Sequence, residues 1–320
     1  GGELEAHDFA ALISPAAVAV LERAARAAHR ATAERFGKTI LLYAPLYLSN
    51  ECISTCVYCG FSRENAVARR TLTLDETLAE ARTLAARGFH HLLLVTGEHP
   101  KAASLGSLCE AVAALRAAGV ASVSVEIAPL DVGGYRALAL AGTDGLVVYQ
   151  ETYDRETYGR VHLGGPKRDY DWRLADWRAE AIALFAHARF LLRDAWRCAL
   201  TVSLPRLRPA AGDYAPAHPV SDRDLVQLLV ALRLALPDVG IAISTRESPT
   251  LRDRLVPLGV TQMSAGSRTE PGGYSHPREA EPQFEVEDTR TPEEVAAAIA
   301  RLGYDPVWKD WEEALHERAG

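Results

Sequence analysis

The stretch Thr39-Ile-Leu-Leu-Tyr-Ala-Pro-Leu-Tyr-Leu48 is an apolar run, and three residues separate it from the segment Cys52-Ile-Ser-Thr-Cys56-Val-Tyr58-Cys59. A short apolar run that is bounded by polar residues is typical of a strand buried on both faces. Barrel enzymes place their chemistry where such parallel strands end. The first strand therefore predicts a fold of buried parallel strands. The cysteines that follow it in sequence predict where the functional site lies.

The rest of the chain repeats the order of apolar run, polar loop and amphipathic helix, which is typical of a parallel sheet covered by helices. Further apolar runs lie at residues 91–96, 121–128, 145–149, 199–204, 239–244 and 260–264, and helical stretches at 74–87, 105–118, 177–192 and 222–236. Eight strands would close a (βα)₈ barrel, but only seven are present, and one unit is missing between residues 151 and 196. We expect one domain over residues 1–320, with a helical extension over 1–38 and a helical tail over 291–320.

Composition and charge exclude several classes of protein. The chain has 320 residues, with 35 basic and 42 acidic side chains and a net charge of −7, which disfavours nucleic acid as a partner because that needs a basic face. No run reaches the roughly 18–20 apolar residues that cross a bilayer, and the first five residues lack a signal-peptide pattern. The five cysteines are odd in number, which disfavours a disulfide framework. We expect a cytoplasmic enzyme that binds neither nucleic acid nor membrane.

The cysteines at positions 52, 56 and 59 can converge on one inorganic cluster, because the loop between them is long enough to wrap it. A [4Fe–4S] cluster ordinarily takes four cysteines, and no fourth cysteine or histidine is near in sequence. One iron would therefore stay open to bind another molecule. Structural zinc and buried free thiols are the alternatives, although structural zinc takes four protein ligands. Cys109 and Cys198 are assigned to the core.

Cys-x₃-Cys-x-aromatic-Cys after the first barrel strand resembles the radical S-adenosylmethionine superfamily. The resemblance implies that Cys52, Cys56 and Cys59 hold a [4Fe–4S] cluster whose open iron binds the amino and carboxylate groups of S-adenosylmethionine. Tyr58 would then lie beside the adenine of that cofactor.

Further motifs along nearly the whole chain resemble the family of 2-iminoacetate synthases, the tyrosine lyases of bacterial thiamine biosynthesis. The motifs are Pro45-Leu-Tyr-Leu-Ser-Asn50, Tyr58-Cys-Gly-Phe-Ser62, His91-Leu-Leu-Leu-Val-Thr-Gly-Glu-His99, Val148-Tyr-Gln-Glu-Thr-Tyr153, Ser203-Leu-Pro-Arg-Leu-Arg-Pro209, Ser244-Thr-Arg-Glu-Ser248, Ser264-Ala265, Pro271-Gly-Gly-Tyr274 and Val307-Trp-Lys-Asp-Trp311. The resemblance implies that a deoxyadenosyl radical, made from S-adenosylmethionine by one-electron reduction, removes hydrogen from L-tyrosine. The Cα–Cβ bond then breaks to give 2-iminoacetate and p-cresol. It also implies a flavodoxin-type one-electron reductant and a thiazole synthase subunit as partners.

Several polar residues stand where predicted strands end. Gly97 and Glu98 resemble the superfamily segment that meets the amino group of the cofactor. Glu126 interrupts an apolar strand, and a carboxylate inside a barrel needs a partner or a proton; bound cofactor or a nearby arginine could supply that partner. The basic pair Arg69-Arg70 is assigned no role.

Arginine matches a carboxylate with a fixed pair of donors, and an amino-acid substrate brings such a carboxylate. By resemblance to the aromatic amino-acid lyases we assign the substrate carboxylate to Arg246, with Ser264 as a hydrogen-bond donor. The remaining catalytic candidates are Glu151, Tyr153, Arg206 and Arg208. The alternative for the arginines is structural ion pairs with acidic neighbours such as Glu151, Glu247 or Asp253.

The sequence departs from the family between residues 172 and 178. Family members have a glycine-rich fifth strand and a preceding helix there, and this strand helps to hold the adenosine part of the cofactor. The resemblance thus implies a (βα)₈ TIM-type α/β barrel that lacks the fifth strand and its preceding helix. A deletion, an assembly error and omitted residues are the possible explanations.

Three other functions are compatible with the motifs. The tyrosine lyase of hydrogenase maturation carries a C-terminal cysteine cluster, and this chain has no cysteine after Cys198. A tryptophan-lyase relative would share the site plan, and a catalytically impaired iron–sulfur scaffold would only partner thiazole synthase.

Overall fold

The computed structural model describes residues 4–148, 155–168, 177–195, 198–212, 214–216, 219–276 and 279–308. The elements in chain order are α1 (Ala6–Leu12), α2 (Leu21–Phe36), β1 (Thr39–Ser49), α3 (Leu74–Ala86), β2 (His91–Thr96), α4 (Leu105–Ala117), β3 (Ser122–Glu126), α5 (Val132–Ala141), β4 (Gly145–Val147), α6 (Arg155–Val161), α7 (Trp177–Asp194), β5 (Thr201–Ser203), α8 (Asp222–Ala235), β6 (Gly240–Ile243), α9 (Pro249–Leu255), β7 (Gln262–Ser264), α10 (Pro292–Arg301) and β8 (Asp305–Val307). Short 3₁₀ turns lie at Pro15–Val20, Pro166–Arg168 and Val256–Leu258.

Helix boundaries follow the capping signals in the sequence. Thr73, Ser221 and Thr291 each accept a hydrogen bond from the backbone of the first turn of their helix, and an acidic residue three positions later bonds back. This reciprocal pair satisfies donors that a helix start would otherwise leave unpaired. Helices α3 and α4 end just before Gly88 and Gly119, whose φ angles of 91° and 87° favour glycine.

The seven predicted strands form one parallel sheet in the order β4-β3-β2-β1-β7-β6-β5. Strand β1 is the centre, because its eleven residues pair with β2 on one side and with β7 on the other. Its side chains alternate between two faces, as the period of two in a strand requires. Ile40, Leu42 and Leu46 join the large core under the helices, whereas Tyr47 joins the cluster of the opposite, inner face.

The sheet ends at β4 on one side and at β5 on the other, and no ladder joins these two strands among the described residues. The molecule is thus a partial (βα)₈ barrel, which confirms the predicted fold class. The predicted strand 145–149 is described only to residue 148, and residues 169–176, where the family's fifth unit is missing, lie outside the described residues.

The expected helical tail over 291–320 is a helix over Pro292–Arg301, but residues 305–307 form β8 instead. Residues 309–320 of the expected tail lie outside the described residues. Strand β8 pairs in parallel with the start of β1, in the register Thr39↔Asp305, and the backbone N–H of Asp305 donates to Lys38 at 2.7 Å. A three-residue strand that contains Pro306 has too little pattern to be found from sequence. Trp308 then packs against Phe89, with ring centres 5.2 Å apart.

The N-terminal extension contributes two helices, α1 and α2, within its described part. Helix α2 packs on α8, where Ala25, Ala28 and Val230 form a small buried cluster. In the ranges that the structure describes, every helix is too short or too polar to cross a bilayer.

Candidate functional site

The cysteine loop (residues 50–62) begins where β1 ends and is held against the end of β2. The backbone N–H of Ile53 donates to the Glu98 carbonyl at 2.9 Å, and the Ser54 hydroxyl donates to the Glu98 carboxylate at 3.0 Å. Gly97 lies so close that a Cβ atom there would be 2.3 Å from the Glu51 carbonyl oxygen. Only glycine fits at this position, so the predicted Gly97-Glu98 pair supports the loop.

The last residue of α6 and the segment after it hold the other side of the loop. The backbone N–H groups of Thr55 and Val57 donate to the carbonyls of Gly164 and Val161, at 3.1 and 3.0 Å. Gly165 has a φ of 79°, and a Cβ atom there would lie 2.6 Å from Ile53 O. The loop is therefore fixed from two sides by close backbone contacts.

Arg69, to which sequence reasoning gave no role, holds the loop from a third side. Its guanidinium donates four hydrogen bonds of 2.6–3.1 Å to backbone carbonyls, those of Asn50, Phe61, Ser62 and Asn65. Five fixed donors on one side chain allow a single arginine to satisfy several carbonyls of an irregular loop. An Arg-Arg pair in sequence gives no signal that separates such a clamp from a surface charge.

All three cysteines lie on this loop, and none of them forms a disulfide. Cys56 is buried, and Cys52 and Cys59 are half-buried. Cys52 and Cys59 both pack against the inner apolar group, which consists of Tyr47, Phe61, Leu93 and Val95. The backbone N–H of Cys59 also donates to the Cys56 carbonyl. Two of the thiols thus border the same side of the sheet.

Two groups near Cys59 partly oppose the effect of burial on its pKa. Burial raises the pKa of the Cys59 thiol, while the nearby Lys167 ammonium and a hydrogen bond from Gln283 act in the opposite direction. The amide nitrogen Nε2 of Gln283 lies 3.5 Å from the Cys59 sulfur. Lys167 also lies 3.9 Å from Glu98. Lys167 and Gln283 carry no sequence signal of this role.

The donor set of the loop consists of three thiols. Across the described ranges, no three His, Cys, Asp or Glu side chains form a site for one metal ion. Three thiols on one glycine-supported loop match the donors that an iron–sulfur cluster takes, with one iron left open.

Tyr58 lies at the edge of the cysteine loop. Its hydroxyl is 2.8 Å from Nε2 of His162, and its ring meets that of Tyr214 edge-on at 6.4 Å between centres. The histidine that fixes this ring was not found from sequence, because it lies 104 residues away.

Arg246 and Glu126 influence the pKa values of the same two tyrosines of β1, Tyr43 and Tyr47, in opposite directions. Burial raises the pKa of Tyr43 to about 12 and that of Tyr47 well above its ordinary value. The Glu126 carboxylate adds to both shifts, and the Arg246 guanidinium opposes both. Ser264, at the end of β7, accepts from the Thr245 backbone at 3.1 Å, and its hydroxyl acts to lower the pKa of Tyr43.

Arg206 and Arg208 have carboxylate partners, which favours structural ion pairs for them. Arg206 donates to both carboxylate oxygens of Glu247, at 3.1 and 3.0 Å through Nε, and lies 2.9 Å from Asp222. Arg208 pairs with Glu287. Arg246 has no such ion pair within the described part of the chain.

Two catalytic candidates, Glu151 and Tyr153, lie outside the described residues. A cavity of about 820 Å³ is lined by Arg87 and by residues between Gly266 and Glu293, and it contains none of the predicted site residues. Phe284, which lines this cavity, is the ring under Arg246.

Two family models match this chain. The model of the radical SAM superfamily matches residues 46–185, and that of the biotin and thiamin synthesis associated domain matches residues 203–305. The partial parallel barrel and the three-cysteine loop after β1 agree with the first of these. Fold and site therefore define an enzyme of the radical SAM class.

Curated relatives narrow this class to one family. The chain is 41% identical to 2-iminoacetate synthase of Escherichia coli K12 and 38% identical to that of Salmonella typhimurium LT2, covering 98% of this chain and 89% of each relative. The chain belongs to the 2-iminoacetate synthase family. The family predicted from the sequence is confirmed, and so is its enzyme class, a carbon–carbon lyase.

A solved structure agrees with this assignment. HydG, described as a maturase of the [FeFe]-hydrogenase, superposes with a TM-score of 0.91 at 31% identity, covering 99% of this chain and 76% of that one. The alignment with the Escherichia coli relative spans 336 positions, more than the 320 residues of this chain. That relative therefore has residues without a counterpart here.

Proposed function

We propose that this chain cleaves the Cα–Cβ bond of L-tyrosine to 2-iminoacetate and p-cresol, for thiazole formation in thiamine biosynthesis. The observation that carries the proposal is Arg246, a guanidinium without an ion pair among the described residues, near the inner tyrosines of a radical SAM barrel. The family of the chain gives the reaction class, and this arginine offers a place for an amino-acid substrate.

Cys52, Cys56 and Cys59 would hold a [4Fe–4S] cluster, and Tyr58, Gly97, Glu98 and Glu126 would border bound S-adenosylmethionine. Together these cofactors supply a deoxyadenosyl radical after one-electron reduction. Glu98 already accepts a hydrogen bond from Ser54, so its carboxylate acts on the cofactor chiefly by keeping the cysteine loop in place.

Arg246 would bind the tyrosine carboxylate through two parallel hydrogen bonds. Phe284 covers one face of the Arg246 guanidinium. The N–H donors point outward in the plane of the guanidinium, so stacking leaves them available to a ligand. Ser264 would donate a further hydrogen bond from the end of β7. Held at its carboxylate, the substrate keeps a defined orientation on an inner face of aromatic and aliphatic side chains that excludes water.

The external partners follow from the chemistry. Formation of the deoxyadenosyl radical takes one electron, and conversion of the cresol radical left after Cα–Cβ cleavage to p-cresol takes a second electron and a proton. A flavodoxin-type one-electron reductant would supply these electrons one at a time. The product 2-iminoacetate hydrolyses readily, which favours direct use by a thiazole synthase subunit. A cytoplasmic location would suit both partners.

A second function, an iron–sulfur scaffold with little catalysis, is favoured by one observation. Strands β4 and β5 are not joined among the described residues, and the family's fifth strand helps to hold the adenosine. A site open on that side would bind S-adenosylmethionine less tightly.

The test is product formation after anaerobic reconstitution with iron and sulfide. Tyrosine, S-adenosylmethionine and a chemical reductant should give p-cresol and deoxyadenosine in equal amounts. Tryptophan in place of tyrosine is the control, and its preferential consumption would assign the chain to a tryptophan-lyase type. A full cluster with no cleavage of either amino acid would support the scaffold and contradict the lyase.

A further inference from the structure

Gln283 links the two segments that the family models match. It lies in the second segment, and its main chain is fixed to the cysteine loop of the first, because the N–H of Gly60 donates to its carbonyl at 3.0 Å. Its own N–H donates to Thr269 at 2.9 Å. A Cβ atom on Gly60 would lie 2.5 Å from this carbonyl. The backbone position of residue 283 is therefore set independently of its side chain.

The side chain of Gln283 makes two hydrogen bonds, one as a donor and the other as an acceptor. Its Nε2 faces the Cys59 sulfur at 3.5 Å, and its Oε1 accepts from the Tyr47 hydroxyl at 2.9 Å. A metal-bound thiolate has no proton and can only accept, so the amide must present its nitrogen to the sulfur. The Tyr47 hydroxyl, as a donor to the oxygen, favours this one of the two amide orientations.

Packing fixes the tyrosine in turn. Tyr47 is buried, and its ring meets Phe61 edge-on, with centres 5.8 Å apart. Two successive hydrogen bonds, from Tyr47 to Gln283 and from Gln283 to Cys59, thus end at a sulfur atom. The family assignment gives these two hydrogen bonds no role.

We infer that Gln283, oriented by Tyr47, sets the reduction potential of the cluster through its hydrogen bond to the Cys59 sulfur. The inference rests on the proposed cluster at Cys52, Cys56 and Cys59. Reduction adds negative charge that is shared with the ligand sulfurs, and a donor to such a sulfur stabilises the reduced form more than the oxidised one. Hydrogen bonds to the sulfurs are among the factors that set such potentials. Gln283 is a positioning residue that acts through the cluster ligand Cys59.

The test uses the full chain, reconstituted anaerobically, and a redox titration followed by electron paramagnetic resonance. Gln283→Leu removes the donor and keeps a similar volume, and Tyr47→Phe removes only the hydrogen bond that orients it. Gln262→Leu is the matched control, because the amide of Gln262 bonds to Thr201 on a distant strand edge. Iron and sulfide content is measured for each protein first.

We expect Gln283→Leu to reduce the equilibrium constant for cluster reduction about tenfold, which is about 59 mV for one electron. Tyr47→Phe should shift the potential in the same direction by less, and Gln262→Leu should leave it unchanged. A loaded Gln283→Leu cluster with an unchanged potential overturns the inference. If that variant does not load, an unchanged Tyr47→Phe potential overturns it instead. A wild-type protein without a cluster overturns the proposed function together with the inference.

Discussion

The guanidinium carbon of Arg246 lies 3.5 Å from the centre of the Phe284 ring. The two residues come from different loops, one after β6 and the other after β7, and both loops start at the carboxyl ends of parallel strands. Stacking on a ring is attractive for a cation, yet it leaves the in-plane N–H donors free. This arrangement keeps a charged side chain in place without a carboxylate, in contrast to Arg206 and Arg208.

Replacement of Arg246 by alanine should weaken tyrosine binding far more than S-adenosylmethionine binding. Removing one partner of a hydrogen-bonded buried charge pair costs on the order of 2–5 kcal/mol, so the tyrosine Kd should rise by at least about 30-fold. Isothermal titration of each ligand under anaerobic conditions measures the two effects separately.

Arg208→Ala is the matched comparison, because its guanidinium already pairs with Glu287. It should leave the tyrosine Kd unchanged. A normal tyrosine affinity in the Arg246 variant would contradict the assignment and transfer the role to Arg206 or Arg208.

Replacement of any one of Cys52, Cys56 and Cys59 by alanine should abolish the visible absorbance of the reconstituted cluster and the cleavage of S-adenosylmethionine. Three ligands leave no spare thiolate on the loop, so one loss is enough. Cys109→Ala is the control, since Cys109 packs against the large core from α4. If Cys109 proved equally necessary, the three-ligand assignment would be wrong.

Arg69→Met should unfold the cysteine loop locally and lower the cluster content. The substitution leaves four carbonyls without their donor, and hydrogen bonds to charged groups contribute about 1.5–3 kcal/mol each, although water will replace part of this. We expect a loss of about 3 kcal/mol in the free energy of unfolding, measured by urea denaturation.

Arg70→Met provides a neighbouring control for the Arg69 experiment. The Arg70 side chain, which is 16% exposed, bonds to the carboxylates of Glu76 and Glu279 rather than to the carbonyls that Arg69 holds. We therefore expect the cluster content to stay normal in this variant. An equal loss of unfolding free energy in the two variants would contradict the expectation that the four hydrogen bonds of Arg69 to carbonyls stabilise the cysteine loop.

The contrast between Arg69 and the cysteines shows what the sequence could and could not predict. Strands, helix ends and the cysteine loop follow from local patterns, because apolar periodicity, capping residues and ligand spacing are encoded within a few positions. Arg69, His162 and Gln283 act through contacts that form only after distant segments meet, and their residue types are common on any surface. Strand β8 was missed for a related reason, since only its place beside β1 makes it a strand.

Glu76 gives a test of pH dependence at the start of α3. A hydrogen bond from the Thr73 backbone and one from Arg70 lower the pKa of this carboxyl to about 2 from an ordinary value of 4.5. A depressed pKa stabilises the folded state above the unfolded pKa, and this stabilisation is lost as the pH falls through the folded value. The difference in unfolding free energy between wild type and Glu76→Gln should therefore be constant above about pH 5 and decrease below it.

Urea denaturation at a series of pH values from 7 downward measures the Glu76 effect. Glu22→Gln is the control, because Glu22 is an exposed carboxylate in an i,i+4 pair with Arg26. A Glu76 difference that grows as the pH falls would contradict the assignment of the cap.

The edges of the described sheet, at β4 and β5, lead to the last prediction. In a closed barrel every strand has a hydrogen-bonded neighbour on both sides, whereas β4 and β5 each have one among the described residues. Leu146 and Val148, beside this edge, are 44% and 48% exposed, unlike the fully buried Leu94 of β2. Amides of residues 145–147 and 201–203 should therefore exchange hydrogen much faster than those of residues 92–95, as measured by mass spectrometry.

The same mass spectrometer tests whether the missing unit is real. Trypsin cuts after Arg173 and Arg178, so the sequence as it stands must release the five-residue peptide Leu174-Ala-Asp-Trp-Arg178. Detection of this peptide with fast exchange at both edges supports a true deletion and an open barrel. A longer peptide in its place would mean that the protein contains a fifth unit between these arginines. Slow exchange at β4 and β5 in a protein that does release the short peptide would contradict the open edge, because the two strands would then be paired directly in a closed smaller barrel.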